Sequence, residues 1–269
     1  MIVTTVILAS NWYQELVQKI PDGQLFSWRS VFDGLPRIIE KLPTTLLLTL
    51  GGAFLGLILA LIFAIVKINR VKVLYPLQAF FVSFLRGTPV LVQLMLTYYG
   101  IPLFLKAINL RFGTGLNINA IPAYLFAIVA FAFNEAAYAS ETIRAAILSV
   151  DAGEIEAARS LGMTNGQVYC RVIIPNAAVV ATPTLINSLI GLTKGTSLAF
   201  SAGVVEIFAK AQAIAGADYR YFERFISVSL IYWAVNILIE QLGRWIEKMM
   251  DIKQPDKFES LQQAEGEGI

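Results

Sequence analysis

The stretch 42–66 constrains this chain most, because it contains no charged residue. A helix needs about 20 apolar residues to cross the ~30 Å hydrocarbon core of a bilayer, and this stretch exceeds that length. The composition agrees: 57% of the 269 residues are hydrophobic and 15% are charged, whereas a soluble domain has about 25% charged residues. The sequence therefore predicts an all-α membrane protein.

Further apolar runs complete a domain of five transmembrane helices over residues 42–250. The later spans are predicted at 74–105, 118–147, 172–193 and 225–239. The second is interrupted at Arg86-Gly87-Thr88-Pro89 and closed by Gly100-Ile101-Pro102. Pro89 is expected to kink or unwind the helix, because proline removes a backbone hydrogen bond.

Basic residues set the predicted orientation of these spans. Lys67, Arg70 and Lys72 follow the first span with no acid among them, so the positive-inside rule places that end in the cytoplasm. The N-terminus is then outside and the C-terminus inside. Residues 1–41 form an external segment, in which 25–42 has helical apolar spacing and either lies in the interface or packs on a neighbour. Residues 251–269 form a polar cytoplasmic tail.

Several kinds of site are not expected in this chain. It has no histidine and one cysteine, Cys170, so neither a metal site nor an intrachain disulfide is predicted. No catalytic residue is assigned. The phosphate-loop pattern G-x-x-x-x-G-K-[ST] does not occur, so the chain is not expected to hold its own ATP site. No basic, aromatic-rich run indicates nucleic-acid binding.

An amphipathic island, residues 156–175, separates the third and fourth spans. It opens with Glu156-Ala157-Ala158, of which the alanines are strong helix formers. Gly162 can end that helix in a left-handed turn, and Pro175 falls in the first turn of the next apolar run. The pattern predicts a helical loop over 150–175 with a glycine turn between two helices.

The same island resembles the EAA loop of bacterial ABC-type import permeases, in which Glu-Ala-Ala is followed at fixed distances by Gly, two aliphatic residues and Pro. Other motifs are similar to the permeases for polar amino acids, the subgroup that imports histidine, glutamine, arginine, glutamate or cystine. They are Arg86-Gly87-Thr88-Pro89, Ala137-Tyr138-Ala139-Ser140-Glu141-x-x-Arg144, Ser160-Leu161-Gly162-Met163-Thr164 and Thr196-Ser197-Leu198. The resemblance covers about residues 42–250.

The resemblance implies a five-span subunit in the bacterial cytoplasmic membrane that pairs with a second permease, identical or related. The pair would sit on two ATPase subunits, which hold ATP and Mg²⁺, and would receive substrate from an extracytoplasmic binding protein. Alternating access would follow from movement of the loop with the ATPases. The expected coupling residues are Glu156, Ala157, Ala158, Ser160, Leu161, Gly162 and Met163.

Polar residues near the middle of the spans are candidates for the substrate path. Asn134 and Glu135 lie near the centre of the third span, and Glu135 could pair with the ammonium of an amino acid. Glu135 departs from the smaller or less charged residue that the family pattern has, which favours a role in specificity. Other candidates are Tyr138, Gln93 and Asn187, and for the last two an interhelical hydrogen bond is the preferred alternative.

Two rival functions remain at the level of sequence. A secondary transporter driven by an ion gradient would use Glu135 and Glu141 as ion sites, although Glu141 and Arg144 have the i,i+3 spacing of a simple pair. A membrane scaffold or sensor would leave Glu135 unexplained. The stretch 134–141 is most similar to cystine permeases, which makes cystine a candidate cargo.

Overall fold

The computed structural model describes residues 11–20, 22, 23 and 26–250; most of these residues are helical and none lies in a strand. This confirms the all-α prediction. Two 3₁₀ turns, Ile118–Ala120 and Thr196–Ala202, and one π turn, Tyr169–Ile173, join some of the helices. The helices are α1 Asn11–Gln18, α2 Trp28–Ile39, α3 Leu42–Ile68, α4 Leu74–Gly87, α5 Val90–Phe112, α6 Ala123–Leu148, α7 Ala152–Ser160, α8 Asn165–Val168, α9 Ile174–Gly195, α10 Ile207–Asp218 and α11 Tyr221–Met249.

In the described part of the chain, five helical segments are long and apolar enough to cross a membrane, as predicted. They are α3, α5, α6, the run Asn165–Ala202 that contains α8 and α9, and α11. The first and third lie close to the predicted bounds. The predicted tail at 251–269 and the start of the predicted helix at Leu25 lie outside the described residues.

The second span differs from its prediction, because the chain breaks completely at Thr88 and Pro89. Both residues are extended, so α4 is a separate helix of 14 residues and the span is α5 alone. At 1.5 Å per residue, α4 is too short to cross the hydrocarbon core. The expected end at Pro102 is also wrong, since α5 continues through it to a left-handed Gly113.

The fourth and fifth spans extend beyond the predicted apolar runs. The fourth begins at Asn165, because the π turn continues the helix from α8 into α9. The fifth extends at both ends into charged residues that pair locally. Arg220 bonds Glu223 at 3.2 Å, and Arg244 bonds Glu240 at 2.9 Å. Such pairing makes charge an unreliable marker of where a membrane helix ends.

Helix α2 packs on neighbouring helices, and its place in the membrane interface stays a prediction. The Ser27 side chain caps it by accepting a bond from the Ser30 amide. Val31 and Ile38 are fully buried, and Ile38 joins an apolar cluster with residues of α10 and α11. Helix α10 itself had no counterpart in the sequence prediction.

The most extensive helix contact joins α3 and α6. Small residues recur every fourth position on the buried face of α3: Gly52, Gly56, Ala60 and Ala64. A Cβ atom at Gly56 would lie 2.8 Å from the Glu135 Cβ and 3.0 Å from the Ala132 carbonyl oxygen. Small residues at this spacing let two membrane helices approach closely.

The two ends of the bundle are distinguished by what packs there. Met250, after α11, lies beside Thr182 in the first half of α9, with 3.7 Å between the sulfur and the hydroxyl. The start of α11 instead contacts α2, where Ser227 donates to the Val31 carbonyl at 2.7 Å. Helix α2 therefore lies at the end of the bundle opposite α7. That the α7 end faces the cytoplasm remains a prediction.

Replacing Gly56 by alanine tests the α3–α6 contact. The added methyl group overlaps Glu135 and the α6 backbone, so we expect a loss of about 1–3 kcal/mol of stability. Gly100→Ala is the matched control, because nothing lies within 4 Å of a Cβ atom there. Thermal unfolding in detergent should show a lower midpoint for Gly56→Ala alone; equal midpoints for both variants would contradict the close approach.

Candidate coupling segment and translocation path

Residues 150–175 form the predicted helix, glycine turn and helix. Asp151 caps α7 by accepting a bond of 2.6 Å from the Gly153 amide. Gly162 then adopts a φ of 79°, in the left-handed region where a side chain is strained. Thr164 and Gln167 form a reciprocal capping box at the start of α8. Local sequence signals thus specify both helices and the turn between them.

The expected coupling residues divide into an exposed and a buried group. Glu156, Ala157, Ser160 and Gly162 are exposed, and Leu161 is 80% exposed. Ala158 was expected on the docking surface, but its side chain is buried among Val168, Ile173 and other apolar residues of the segment, including the half-buried Met163. The inward face of α7 therefore holds the segment together, while the outward face presents a large apolar side chain to solvent.

The segment is joined firmly to the spans on either side. The π turn carries α8 directly into α9 without an intervening loop. Asn176, in the first turn of α9, donates to the Glu154 carboxylate of α7 at 2.6 Å. Ile147 and Val150, at the end of α6, pack against the buried face of the segment. A displacement of α7 would thus act on α6 and α9 together.

An ion cluster joins α3 and α6 near the same end of the bundle. The Glu141 carboxylate bonds the Lys67 ammonium of α3 and, at 2.9 Å, the Arg144 guanidinium of its own helix. The expected Glu141–Arg144 pair is present, and Lys67 extends it to a second span. Since two cations contact this carboxylate, it is not a free ion ligand.

Gln93 and Asn134, two candidates for the substrate path, contact each other. Asn134 of α6 donates to the Gln93 side-chain oxygen at 3.0 Å. The Gln93 amide nitrogen in turn reaches the Leu85 carbonyl at 2.6 Å and the Thr88 carbonyl at 3.0 Å. These are carbonyl groups that the break at Pro89 deprives of helical partners, so the two side chains stabilise the break.

Glu135 is buried between spans, with 7% of its surface exposed. It packs against Gly56 of α3 and interacts with Ser188 of α9. A carboxyl group with so few positively charged neighbours is costly inside a membrane. Asn187, the neighbour of Ser188, is exposed and does not join the other candidates.

Tyr138 lies on a different face of α6 and is 45% exposed. The Arg86 guanidinium stacks over its ring at 5.5 Å. Both residues line a cavity of about 480 Å³ together with Lys67 and Glu141. The candidates for the path are therefore distributed over two faces of α6 rather than gathered in one pocket.

Glu206 is a buried polar residue that sequence reasoning missed. It is 0% exposed and caps α10 by accepting a bond of 2.9 Å from the Ala209 amide. Its other oxygen accepts from Tyr232 at 2.9 Å and Thr45 at 3.4 Å. Burial raises the pKa of Glu206, although these hydrogen bonds oppose the shift. An acidic N-cap before an apolar run was the available signal.

A model of the family "Binding-protein-dependent transport system inner membrane component" matches residues 35–252. A probable amino-acid ABC transporter permease protein, PatM of Vibrio harveyi, is 40% identical over 84% of this chain and 97% of its own length. The L-cystine transport system permease protein TcyL of Bacillus subtilis is 34% identical over 83% and 91%.

Solved structures show the same architecture. A chain from the crystal structure of an amino acid ABC transporter with histidines is 33% identical and superposes with a TM-score of 0.70, covering 83% of this chain and 99% of that one. A chain of the MetNI methionine ABC transporter is 21% identical with a TM-score of 0.59, covering 80% and 96%. The second likeness concerns the fold alone.

Proposed function

The chain belongs to the family of binding-protein-dependent transport system inner membrane components, and from this we propose that it is the permease subunit of an ATP-driven importer for a polar amino acid. The observation that carries the proposal is the exposed α7–Gly162–α8 segment, fixed between two spans at one end of a five-span bundle. The permeases among its relatives, PatM and TcyL, belong by name to amino-acid transport systems.

Uptake measurements test the energy source. In cells that carry the native transporter, uptake of the cargo should stop when ATP is depleted and persist when an ionophore collapses the membrane potential. The opposite pattern would identify a secondary transporter and overturn the proposal. The double pairing of Glu141 with Lys67 and Arg144 gives no support to that alternative.

The partners we propose are two ATPase subunits with ATP and Mg²⁺, a second permease subunit and an extracytoplasmic binding protein. The chain would contribute the path and the coupling segment, and the ATPases would contribute hydrolysis. Closure of the ATPases on ATP would push α7, and the fixed joints to α6 and α9 would turn that push into a rocking motion of the spans. Glu156, Ala157 and Leu161 supply the contact surface.

Leu161→Asp is the sharpest test of coupling, because Leu161 is an exposed apolar side chain in the segment. An anchor residue at an interface typically contributes about 2 kcal/mol or more, so we expect the affinity for the ATPase to fall about thirtyfold and less ATPase to copurify with the tagged permease. Leu16→Asp is the matched control, as Leu16 is 53% exposed in α1, outside the five spans and away from α7. Undiminished copurification with Leu161→Asp would remove the segment from the interface.

Substrate recognition centres, in our proposal, on Glu135. It is a carboxylate at the centre of the bundle, in contact with both α3 and α9, and an ammonium group would compensate its charge. Gln93 and Asn134 would shape the path by holding the break between α4 and α5. Cystine is the candidate cargo that the similarity of 134–141 to cystine permeases favours.

Glu135→Gln keeps the shape of the side chain and removes its charge. A hydrogen bond to a charged group contributes about 1.5–3 kcal/mol, so the apparent affinity for the cargo should fall by about tenfold or more while ATPase copurification persists. Glu240→Gln serves as the control, since Glu240 is an exposed partner of Arg244. Identical uptake kinetics for wild type and Glu135→Gln would assign Glu135 a purely structural role.

A further inference from the structure

A polar cavity lies at the end of the bundle opposite α7. It has a volume of about 440 Å³, is partly open, and is lined by α1, α2 and Arg220 at the start of α11. Five charged side chains line it: Asp22, Arg29, Asp33, Arg37 and Arg220. The family model matches residues 35–252, so α1 and most of α2 lie outside that match.

The walls of this cavity are held in place by buried and partly buried hydrogen bonds. Arg224, whose side chain is 4% exposed, donates to the Ser30 carbonyl at 2.5 Å and to the Asp218 carboxylate. Ser227 holds the Val31 carbonyl, and the Tyr13 hydroxyl donates to the Phe32 carbonyl at 2.6 Å. These bonds fix α2 on α11 and α1 on α2, so the charged side chains project from a defined frame.

Several charges of the cavity lack a close ion-pair partner, although the positive charge of Arg37 lies near the Asp218 carboxylate. Arg220 is bonded to Glu223, but within the described part of the chain neither Arg29 nor Arg37 forms an ion pair. Asp22 likewise pairs with no cation of that part. With the described residues Asp33 forms one ion pair, a distant one of 3.8 Å with Arg224, and its side chain is 58% exposed.

We propose that this cavity binds a free α-amino acid as its zwitterion. The guanidinium groups of Arg29 and Arg37 would take the carboxylate, for which the planar fork of arginine is suited. Asp22 and Asp33 would take the ammonium. The volume lies within the range of small-molecule sites, about 300–1,000 Å³.

The two aspartates decide between a zwitterion and a purely anionic ligand. An acidic peptide or a phosphate would use the arginines, but it would also face Asp22 and Asp33 and be repelled by them. A zwitterion matches both signs. The site goes beyond the proposed transport function, because it needs neither the ATPases nor the path around Glu135.

A local fluorescent reporter distinguishes this site from the translocation path. In the full chain in lipid nanodiscs, Cys170→Ser removes the native thiol and Gln18→Cys places a bimane dye at the cavity wall. The common L-amino acids and L-cystine are then titrated one at a time. We expect a saturable fluorescence change with at least one of them below about 10 mM, which is weaker than most specific affinities; no response in the series would overturn the proposal.

Analogues and variants then test the chemistry. The amino alcohol and the deaminated acid of the responding compound should each bind at least about tenfold more weakly than the amino acid. The amino acid itself should bind at least about tenfold more weakly to Arg29→Gln, Arg37→Gln or Asp33→Asn. Arg111→Gln, an exposed arginine at the end of α5, is the control and should bind as wild type. Any one of three results would overturn the zwitterion site. The first is equal binding of the amino alcohol, and the second is unchanged affinity in the Arg29→Gln/Arg37→Gln double variant. The third is a fluorescence change that occurs only when a binding protein is added.

Discussion

The close approach of α3 and α6 is the constraint on which the rest of the structure depends. A side chain at Gly52 or Gly56 would meet α6 at 3.0 Å or less, so the two spans touch almost backbone to backbone. Helix α6 is the most buried span: 61% of the residues in its apolar stretch are buried, compared with 11–28% in the other spans. Helices α4, α5 and α9 all pack on it. Without hydrophobic attraction between helices in lipid, such van der Waals contact is a principal source of association.

Water is scarce inside the bundle, so polar groups there must form hydrogen bonds with one another. The break at Pro89 frees backbone carbonyls inside the bundle, and Gln93 satisfies them while Asn134 holds Gln93. Glu206 similarly serves α10, Tyr232 and Thr45 at once. Each of these side chains takes part in several hydrogen bonds, because a polar group left unpaired in a low-dielectric interior costs more free energy than the bond itself contributes. These networks fix the irregular parts of the fold.

Features with local signals were predictable from the sequence, and features made by distant contacts were not. Apolar length revealed five spans, and Glu156-Ala157-Ala158 with Gly162 revealed the helix, turn and helix. The burial of Ala158 was missed because it depends on α8 and the π turn packing beneath α7. The link from Glu141 to Lys67 joins residues 74 positions apart, and no spacing rule reaches that far. The complete break at Pro89 needed Gln93 to be stable, which only the folded bundle reveals.

Contacts hold some parts of the coupling segment more firmly than others, and this would determine how a displacement of α7 reaches the spans. From α8 to α9 the backbone is continuously helical, and Asn176 ties α7 to it through Glu154. Gly162 is the only residue of the segment with positive φ, so the turn between α7 and α8 is where the backbone changes direction. Because Lys67 and Glu141 also join α3 to α6, a movement delivered at Leu161 would reach three spans through short contacts. A segment held this tightly would transmit displacement rather than absorb it, as our proposal of a motor-driven permease requires.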